Sequence, residues 1–324
     1  MVERRGILVH PEELDEIWLN DIREAGINVL GIHPVGGQRA HKTLAAAIER
    51  HQTQEFQTLL NKAKEMGVTV EYEAHALRYL LPYEEFEKHP DWFRMNAEGE
   101  RTPRFNMCAS NEEALDYLTE RTAELTRTLH TGSNRYYWWA DDVENSLCCC
   151  PECRKLTASD QLMKITNALH RGVRKYNKEG TTAFLAYHDA MEPPRSVMPE
   201  EGIFLEYAPI ARDSHRPIGD PDCPENAGEI HALRELLDFF GRKGSQVLEY
   251  WMDNSRFSNW TKPPKAMTLD EAVMREDVKF YEALGFESIT SFGCYLGADY
   301  RELHGAAPVQ AYGDILREAR AKTI

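Results

Sequence analysis

The chain has 324 residues, 42% hydrophobic and 28% charged, with 53 acids against 38 Lys and Arg and a formal net charge of −15. That balance argues against a nucleic-acid groove or an anionic membrane surface as partner, and no apolar run approaches the ~18 residues of a membrane span. The opening MVERRGILVHP holds no apolar stretch long enough for an export signal, so the sequence reads as cytoplasmic.

Short β-branched runs alternate with amphipathic stretches from end to end. The first predicted strand is GILVH (6–10), followed by a helix over 12–25 that Gly26 closes. INVLGIHP (27–34) is the second strand, and a longer helix over 43–66 ends at Gly67. VTVEYEAH (68–75) alternates cleanly as the third strand. A long excursion, 76–110, contains WFRMNAEGERTPRF, which reads as a hairpin around Asn96–Gly99, and loops of this length are usually functional. The third helix runs from Asn111 to about Leu129 with Ser110 as N-cap, and RYYWWADD is the fourth strand.

A fourth helix follows over 151–176, and TAFLAYHD (182–189) is the fifth strand. Residues 190–202 are too short and proline-rich for a full helix, so helix five is reduced or missing before the sixth strand, 203–209. A helix over 227–240, a strand over 246–253, a helix over 269–284, a strand over 287–295 and a helix over 307–321 complete the chain. Strand–helix units in this number predict a single (β/α)8 TIM barrel across residues 1–324, α/β in class, with long loops on its catalytic face.

In such a barrel the carboxyl ends of the strands build the site. They supply His10, His33, Glu73, His75, Asp141, Asp142, His188, Asp189, Glu206, Tyr207, Tyr250, Trp251, Asp253 and Tyr295, with Trp260 in a long loop. So many polar and aromatic groups describe a sugar-sized pocket with stacking walls. Glycoside hydrolysis needs a carboxylic acid to protonate the leaving oxygen and a nucleophile, either a second carboxylate or the substrate's own acetamido oxygen. Asp141 and Asp142 are adjacent and point opposite ways on an ideal strand. If both face the pocket, repulsion separates their pKa values into acid and orienting base. Asp142 is the expected proton donor, Glu144 and Glu206 its substitutes, and Tyr250 a hydrogen-bond donor to an acetamido oxygen.

Seven cysteines include Cys148, Cys149, Cys150 and Cys153 within six positions. Cys148, Cys150 and Cys153 in C-x-C-x-x-C, with Cys108 arriving from the preceding loop, predict a structural zinc site that braces the loop carrying the acids. A competing expectation is a metal-dependent isomerase or hydrolase with His10, His33, Glu73, His75 and His188 as ligands. A third is a non-catalytic carbohydrate-binding barrel.

HPDWF (89–93), MCASNEEALDYL (107–118), and a fourth strand ending in an acid before C-x-C-x-x-C and a long helix resemble a bacterial family of glycoside-hydrolase-like barrels. That family was long catalogued as a domain of unknown function and is now associated with glycoside hydrolase family 163. The resemblance covers roughly residues 68 to 260. It implies an endo-β-N-acetylglucosaminidase-like or β-hexosaminidase-like enzyme: a retaining hydrolase of β-linked N-acetylhexosaminides, with an oligosaccharide as partner. Asp142 matches the family's aspartate, while Asp141 replaces its usual asparagine and would orient the acetamido group. The hexosaminidases carry glutamate where Asp142 stands.

Overall fold

The computed structural model describes residues 2–318. In chain order its elements are β1 (Arg4–Val9), α1 (Glu16–Glu24), β2 (Val29–Ile32), α2 (Ala40–His51), α3 (Gln54–Glu65), β3 (Thr69–His75), α4 (Leu77–Leu80), α5 (Glu112–Thr128), β4 (Arg135–Trp139), α6 (Ala158–Tyr176), β5 (Thr181–Ala186), β6 (Ile203–Tyr207), α7 (Pro224–Ile230), α8 (Leu233–Phe240), β7 (Gln246–Glu249), α9 (Asn254–Phe257), α10 (Glu271–Leu284), β8 (Ser288–Phe292), α11 (Ala298–His304) and α12 (Val309–Glu318). The strands close in the order β1 through β8, a parallel (β/α)8 barrel. Between β5 and β6 there is only a one-turn 3-10 segment, His188–Ala190, so helix five is reduced as its prolines predict.

The sequence misjudged several helix boundaries, and three of the errors trace to a cap. The helix expected over 43–66 is two, because Thr53 stops α2 and its side chain accepts from the Phe56 amide to start α3. Asn111, rather than Ser110, caps α5 by accepting from the Ala114 amide. The helix expected over 151–176 starts only at Ala158, where Thr157 and Asp160 form a reciprocal capping box. The stretch 227–240 is split into α7 and α8 around 231–232. The last helix is described to Glu318, and its expected end at 319–321 lies outside the described residues. Gly26 and Gly67 do close their helices, each in the left-handed region that a Cβ disfavours.

The residues fall into two compact units, one running to His33 and adding Gln52–Glu71 and the chain from Glu206, the other made of Pro34–His51 and Tyr72–Leu205. In the second unit, β3 registers with β4 through Glu73–Tyr137, Ala74–Trp138 and His75–Trp139, which ends both strands at one level. Helices α5 and α6 pack along this part of the sheet, where Gly172 lies so close to Thr119 and Thr122 that any side chain there would collide. The predicted hairpin is present as the antiparallel bridges Phe93–Met107 and Met95–Arg101.

Asp160 does more than cap α6. One carboxylate oxygen accepts from the amides of Arg195, Ser196 and Val197, and the other from Thr157 and the Ser196 hydroxyl. It thereby shapes the segment that stands in for helix five. Burial alone would raise its pKa, but the Ser196 and Thr157 donors outweigh it and hold the carboxyl well below the usual carboxylate range. A depressed carboxylate stabilises the fold above the unfolded pKa of about 4 and loses that contribution as pH falls toward its folded value. Asp160→Ala is expected to cost about 3 kcal/mol at neutral pH, since it orphans several buried donors. The gap to wild type, read by urea denaturation, should narrow below about pH 4. Equal stability at neutral pH would refute the assignment.

Candidate active site and cysteine centre

At the carboxyl end of β4 the two adjacent aspartates diverge. Asp141 turns into the loops: its oxygens accept from the Arg78 amide at 3.1 Å and the Asn106 amide at 2.7 Å, while the Asp141 amide donates to Asn106 Oδ1 at 3.1 Å. Burial raises its pKa, against the pull of the Asn106 amide, His75 and Arg78. The expected repulsive pair is therefore not formed, because Asp141 is a clip between loops.

Asp142 faces the other way, with its side chain 28% exposed. Tyr187 donates its phenol to Asp142 Oδ1 at 2.9 Å. The Nε2 atoms of His75 and His188 lie 4.0 and 3.9 Å from the same oxygen. His75 donates from Nδ1 to the Ala140 carbonyl at 2.7 Å, and His188 Nδ1 meets Glu144 Oε1 at 2.8 Å. Each outward nitrogen thus fixes which ring atom points at Asp142. Gly36 is required by close approach: a Cβ there would come within 2.8 Å of Asp142 Oδ2 and 3.0 Å of His75. His188 adopts a left-handed backbone (φ 48°), uncommon for a residue with a side chain, and its ring lies 3.7 Å from that of Tyr187. Asp189 accepts from the Asn145 amide at 2.7 Å.

Sequence reasoning named Asp142, His75, His188 and Glu144, but missed Tyr187, Asn106 and Gly36. The phenol just before His188–Asp189 was the available signal for Tyr187. Asn106 and Gly36 gave none, since their roles depend on long-range approach.

Beside this group, the sulfurs of Cys108, Cys148, Cys150 and Cys153 all lie within 4.8 Å of one another, buried. It is the group found among the described residues whose ligand atoms are close enough to share one metal ion, and His10, His33, Glu73, His75 and His188 do not form such a set. Four thiolates ~2.3 Å from a tetrahedral ion would sit ~3.8 Å apart. Cys108 lies 3.7 Å from Cys150 and 3.9 Å from Cys153. Backbone amides support the sulfurs: Met95 donates to Cys148 and Cys153 to Cys150. Cys108 sits well below the ordinary thiol range because Cys148 and Cys153 hydrogen-bond to its sulfur, against the cost of burial. Gln161 on α6 accepts from the Cys148 amide and donates to the carbonyls of Cys148 and Cys153, so helix, hairpin and acid-bearing loop meet at this centre. Cys149 stays outside the sulfur cluster and bonds through its amide to the Met95 carbonyl.

Residues 38–305 match the profile of the family described as "Domain of unknown function (DUF4838)". The chain belongs to this family. No curated protein matches the DUF4838 chain. Solved structures similar to it include a β-galactosidase from the psychrophilic Marinomonas ef1, at 12% identity and TM-score 0.55, with 98% of this chain and 59% of that one covered. Tandem GH20 catalytic modules of the pneumococcal exo-β-D-N-acetylglucosaminidase StrH align at 10% identity and TM-score 0.53, covering 98% and 85%. A family 5 xyloglucanase from Paenibacillus pabuli aligns at 9% identity and TM-score 0.51, covering 94% and 90%. At such identities the likeness is one of fold: the barrel of the DUF4838 chain is of the kind glycoside hydrolases use. The chain spans well under two thirds of the β-galactosidase. Among the described residues no helix is long and apolar enough to cross a membrane.

The remaining predicted site residues of the DUF4838 chain lie deeper in the barrel or in the other unit. Glu73 is fully buried, one layer below His75 in the register with β4. Glu206 does not reach the carboxyl-end face. It registers with Gln246, the first residue of β7, which registers with Ser288, the first of β8, so the stagger of the strands drops it into the amino-terminal layer. There it accepts from the Gln246 amide side chain at 2.9 Å. Trp251 is buried, and its indole donates to Asp277 at 2.8 Å. Asp253 caps α9 through the amides of Ser255 and Arg256, and burial raises its pKa.

His10 donates from Nδ1 to the His33 carbonyl, and their rings stack at 5.7 Å. Tyr250 is buried and stacks on Phe292 at 5.2 Å. Tyr295 has a left-handed backbone (φ 61°), and its amide donates to Glu13. Trp260 is 64% exposed.

Proposed function

We propose that the chain is a retaining glycoside hydrolase acting on β-linked N-acetylhexosaminides, with Asp142 as general acid/base. The observation that carries this reading is the asymmetry among the carboxylates at the end of β4 and β5. Asp141 is engaged by two backbone amides, Glu144 by His188, and Asp189 by the Asn145 amide. Asp142 alone is presented partly exposed to a phenol and two imidazole nitrogens. His75 commits Nδ1 to the Ala140 carbonyl and His188 commits Nδ1 to Glu144, so each ring turns its Nε2 toward Asp142. That suits a carboxyl that must carry a proton and give it back.

A retaining mechanism through an enzyme nucleophile needs a second carboxylate about 5 Å away and unoccupied. With the neighbours occupied, the substrate's acetamido oxygen is the better nucleophile. It attacks the anomeric carbon as Asp142 protonates the leaving oxygen, and the Asp142 carboxylate then takes a proton from the water that opens the cyclic intermediate. The exo-β-D-N-acetylglucosaminidase among the similar structures supports this choice of substrate. In this reading Asp141 is a positioning residue that fixes the strand end.

Asp142→Asn is expected to lower turnover of phenyl β-N-acetylglucosaminide by about 10²–10⁴-fold. The loss should be smaller for the dinitrophenyl glycoside, whose leaving group needs no proton. Aryl β-glucosides, lacking the acetamido group, should be poor substrates. Wild-type turnover by Asp142→Asn on the phenyl glycoside would sink the assignment.

We further infer that the four cysteines hold zinc. The all-sulfur donor set, the tetrahedral sulfur spacing and the amide donors around it fit that ion, and a site closed by four thiolates braces structure without taking part in the reaction.

A further inference from the structure

The chain has six tryptophans, and five of them are buried; the sixth, Trp260, is 64% exposed. It stands in the long loop that leaves the carboxyl end of β7, the end from which a barrel reaches its substrates. Leaving so large an apolar ring in water is unfavourable, and the backbone adds to the cost. Asn259 closes α9 in the left-handed conformation that asparagine tolerates. Trp260 continues in it (φ 51°), which is uncommon for a bulky side chain. Such conformations persist only where the surroundings over-determine them, and they gather at active sites and ligand clamps.

The surroundings do over-determine this one. The Trp260 amide donates to the Ser255 carbonyl at 2.7 Å, and Asp253 fixes the start of the turn through Ser255 and Arg256. Asn254 donates to the Lys265 and Tyr295 carbonyls, which ties the far end of the loop back to its start. Lys262 donates to Glu13 at 3.2 Å and to Asp299 at 2.7 Å, with its ammonium 4.7 Å over the Tyr295 ring. The Tyr295 hydroxyl in turn donates to the Trp260 carbonyl at 3.5 Å. All of these residues belong to the first compact unit. The anchors grip the backbone and the flanking side chains, and among the described residues none engages the indole itself. A rigid loop that presents a free aromatic face is preorganised for a ligand, because little freedom remains to be lost on binding.

The neighbouring groups indicate the ligand. Lys262 and Asp299 remain partly open to solvent, so hydrogen-bonding groups of both kinds stand in the same cluster. An aromatic face with polar groups around it matches a pyranose ring, whose C–H face is apolar and whose hydroxyls lie at its edge. We propose that Trp260 is a stacking platform for a sugar ring other than the one cleaved, so that the substrate is an oligosaccharide rather than a simple glycoside. This rests on the glycosidase reading and adds chain length to it.

The test compares the full chain with Trp260→Ala and Trp260→Phe on phenyl β-N-acetylglucosaminide and on the β-1,4-linked N-acetylglucosamine tetramer. Trp260→Ala removes an exposed ring and uncovers no core. It should raise KM for the tetramer about tenfold with kcat held, and leave the phenyl glycoside unchanged. Trp260→Phe should keep part of the tetramer preference, since a smaller aromatic face remains. A tetramer KM that Trp260→Ala does not move overturns the inference, while turnover of the phenyl glycoside leaves the glycosidase reading standing. Where the tetramer is not cleaved, titration calorimetry with it decides. Binding weakened about tenfold by Trp260→Ala keeps the platform even if no aryl glycoside turns over, and binding that is absent or unchanged ends it.

Discussion

With the proposed zinc stripped by a strong chelator, the protein is expected to lose most of its stability and all of its ordered fourth loop. Structural zinc held by thiolates contributes ~10 kcal/mol or more of apparent binding free energy in small zinc domains. That is comparable with the ~5–15 kcal/mol net stability of a whole domain. Here the centre joins three pieces of chain: the hairpin through Met95 and Cys108, the loop through Cys148 and Cys150, and the start of α6 through Gln161 and Cys153. Asp142 and Glu144 are carried by that loop, so activity should fall with the metal even though no step passes through it. Elemental analysis should give about one zinc per chain, and cobalt in its place should show the intense visible bands of a tetrahedral thiolate site. Cys153→Ser should mimic the chelator. A chain isolated from zinc-replete medium that holds no metal, with Cys153→Ser melting as wild type, would end this reading.

The barrel was legible because its signal repeats: β-branched and aromatic runs alternating with amphipathic stretches leave one architecture, and short-range spacing exposed the cysteine set. What escaped was set by distance in the chain. Thr53 read as mid-helix and Asn111 as the first helical residue until their side chains are seen capping amides. Glu206 looked like a strand-end acid, yet the stagger that closes a barrel moves it a layer down, and no local pattern encodes stagger. Asp141 and Asp142 illustrate the same limit at the site. Strand alternation correctly says that they point apart, but which of them meets loop amides depends on Arg78 and Asn106, 63 and 35 residues away. Tyr187 became visible only through its hydrogen bond to Asp142, and Gly36 only because a Cβ there would collide with Asp142 and His75.

Arg212→Met is expected to destabilise the protein by about 3–5 kcal/mol at neutral pH. Arg212 reaches in from the long loop after β6 and is 1% exposed. Its Nη1 lies 2.6 Å from Glu249 and 2.7 Å from Asp277, both equally buried, and Nη2 donates to the Arg216 carbonyl. Tyr281 donates to Glu249, and Trp251 and the Ile218 amide donate to Asp277, so the carboxylates are held in place whether or not the cation remains. Burial first and then the charge of Glu249 push the Asp277 pKa up to about 6, against the pull of Arg212. A carboxyl raised in this way takes its proton earlier in the folded than in the unfolded chain, so its contribution to stability weakens as pH rises from about 4 to about 6.

Without the guanidinium the largest opposition to burial is gone, and the Asp277 carboxyl should move further up. The variant should therefore gain stability relative to wild type as pH is lowered from about 7 to about 5, the reverse of ordinary acid denaturation. Adding Glu249→Gln removes one stranded charge while keeping an acceptor for Tyr281, and should recover part of the loss, a non-additivity expected of residues in one network. Urea midpoints at the two pH values decide it. A variant within about 1 kcal/mol of wild type at neutral pH, or one that loses ground on acidification, would mean that the buried charges are not coupled as their distances require.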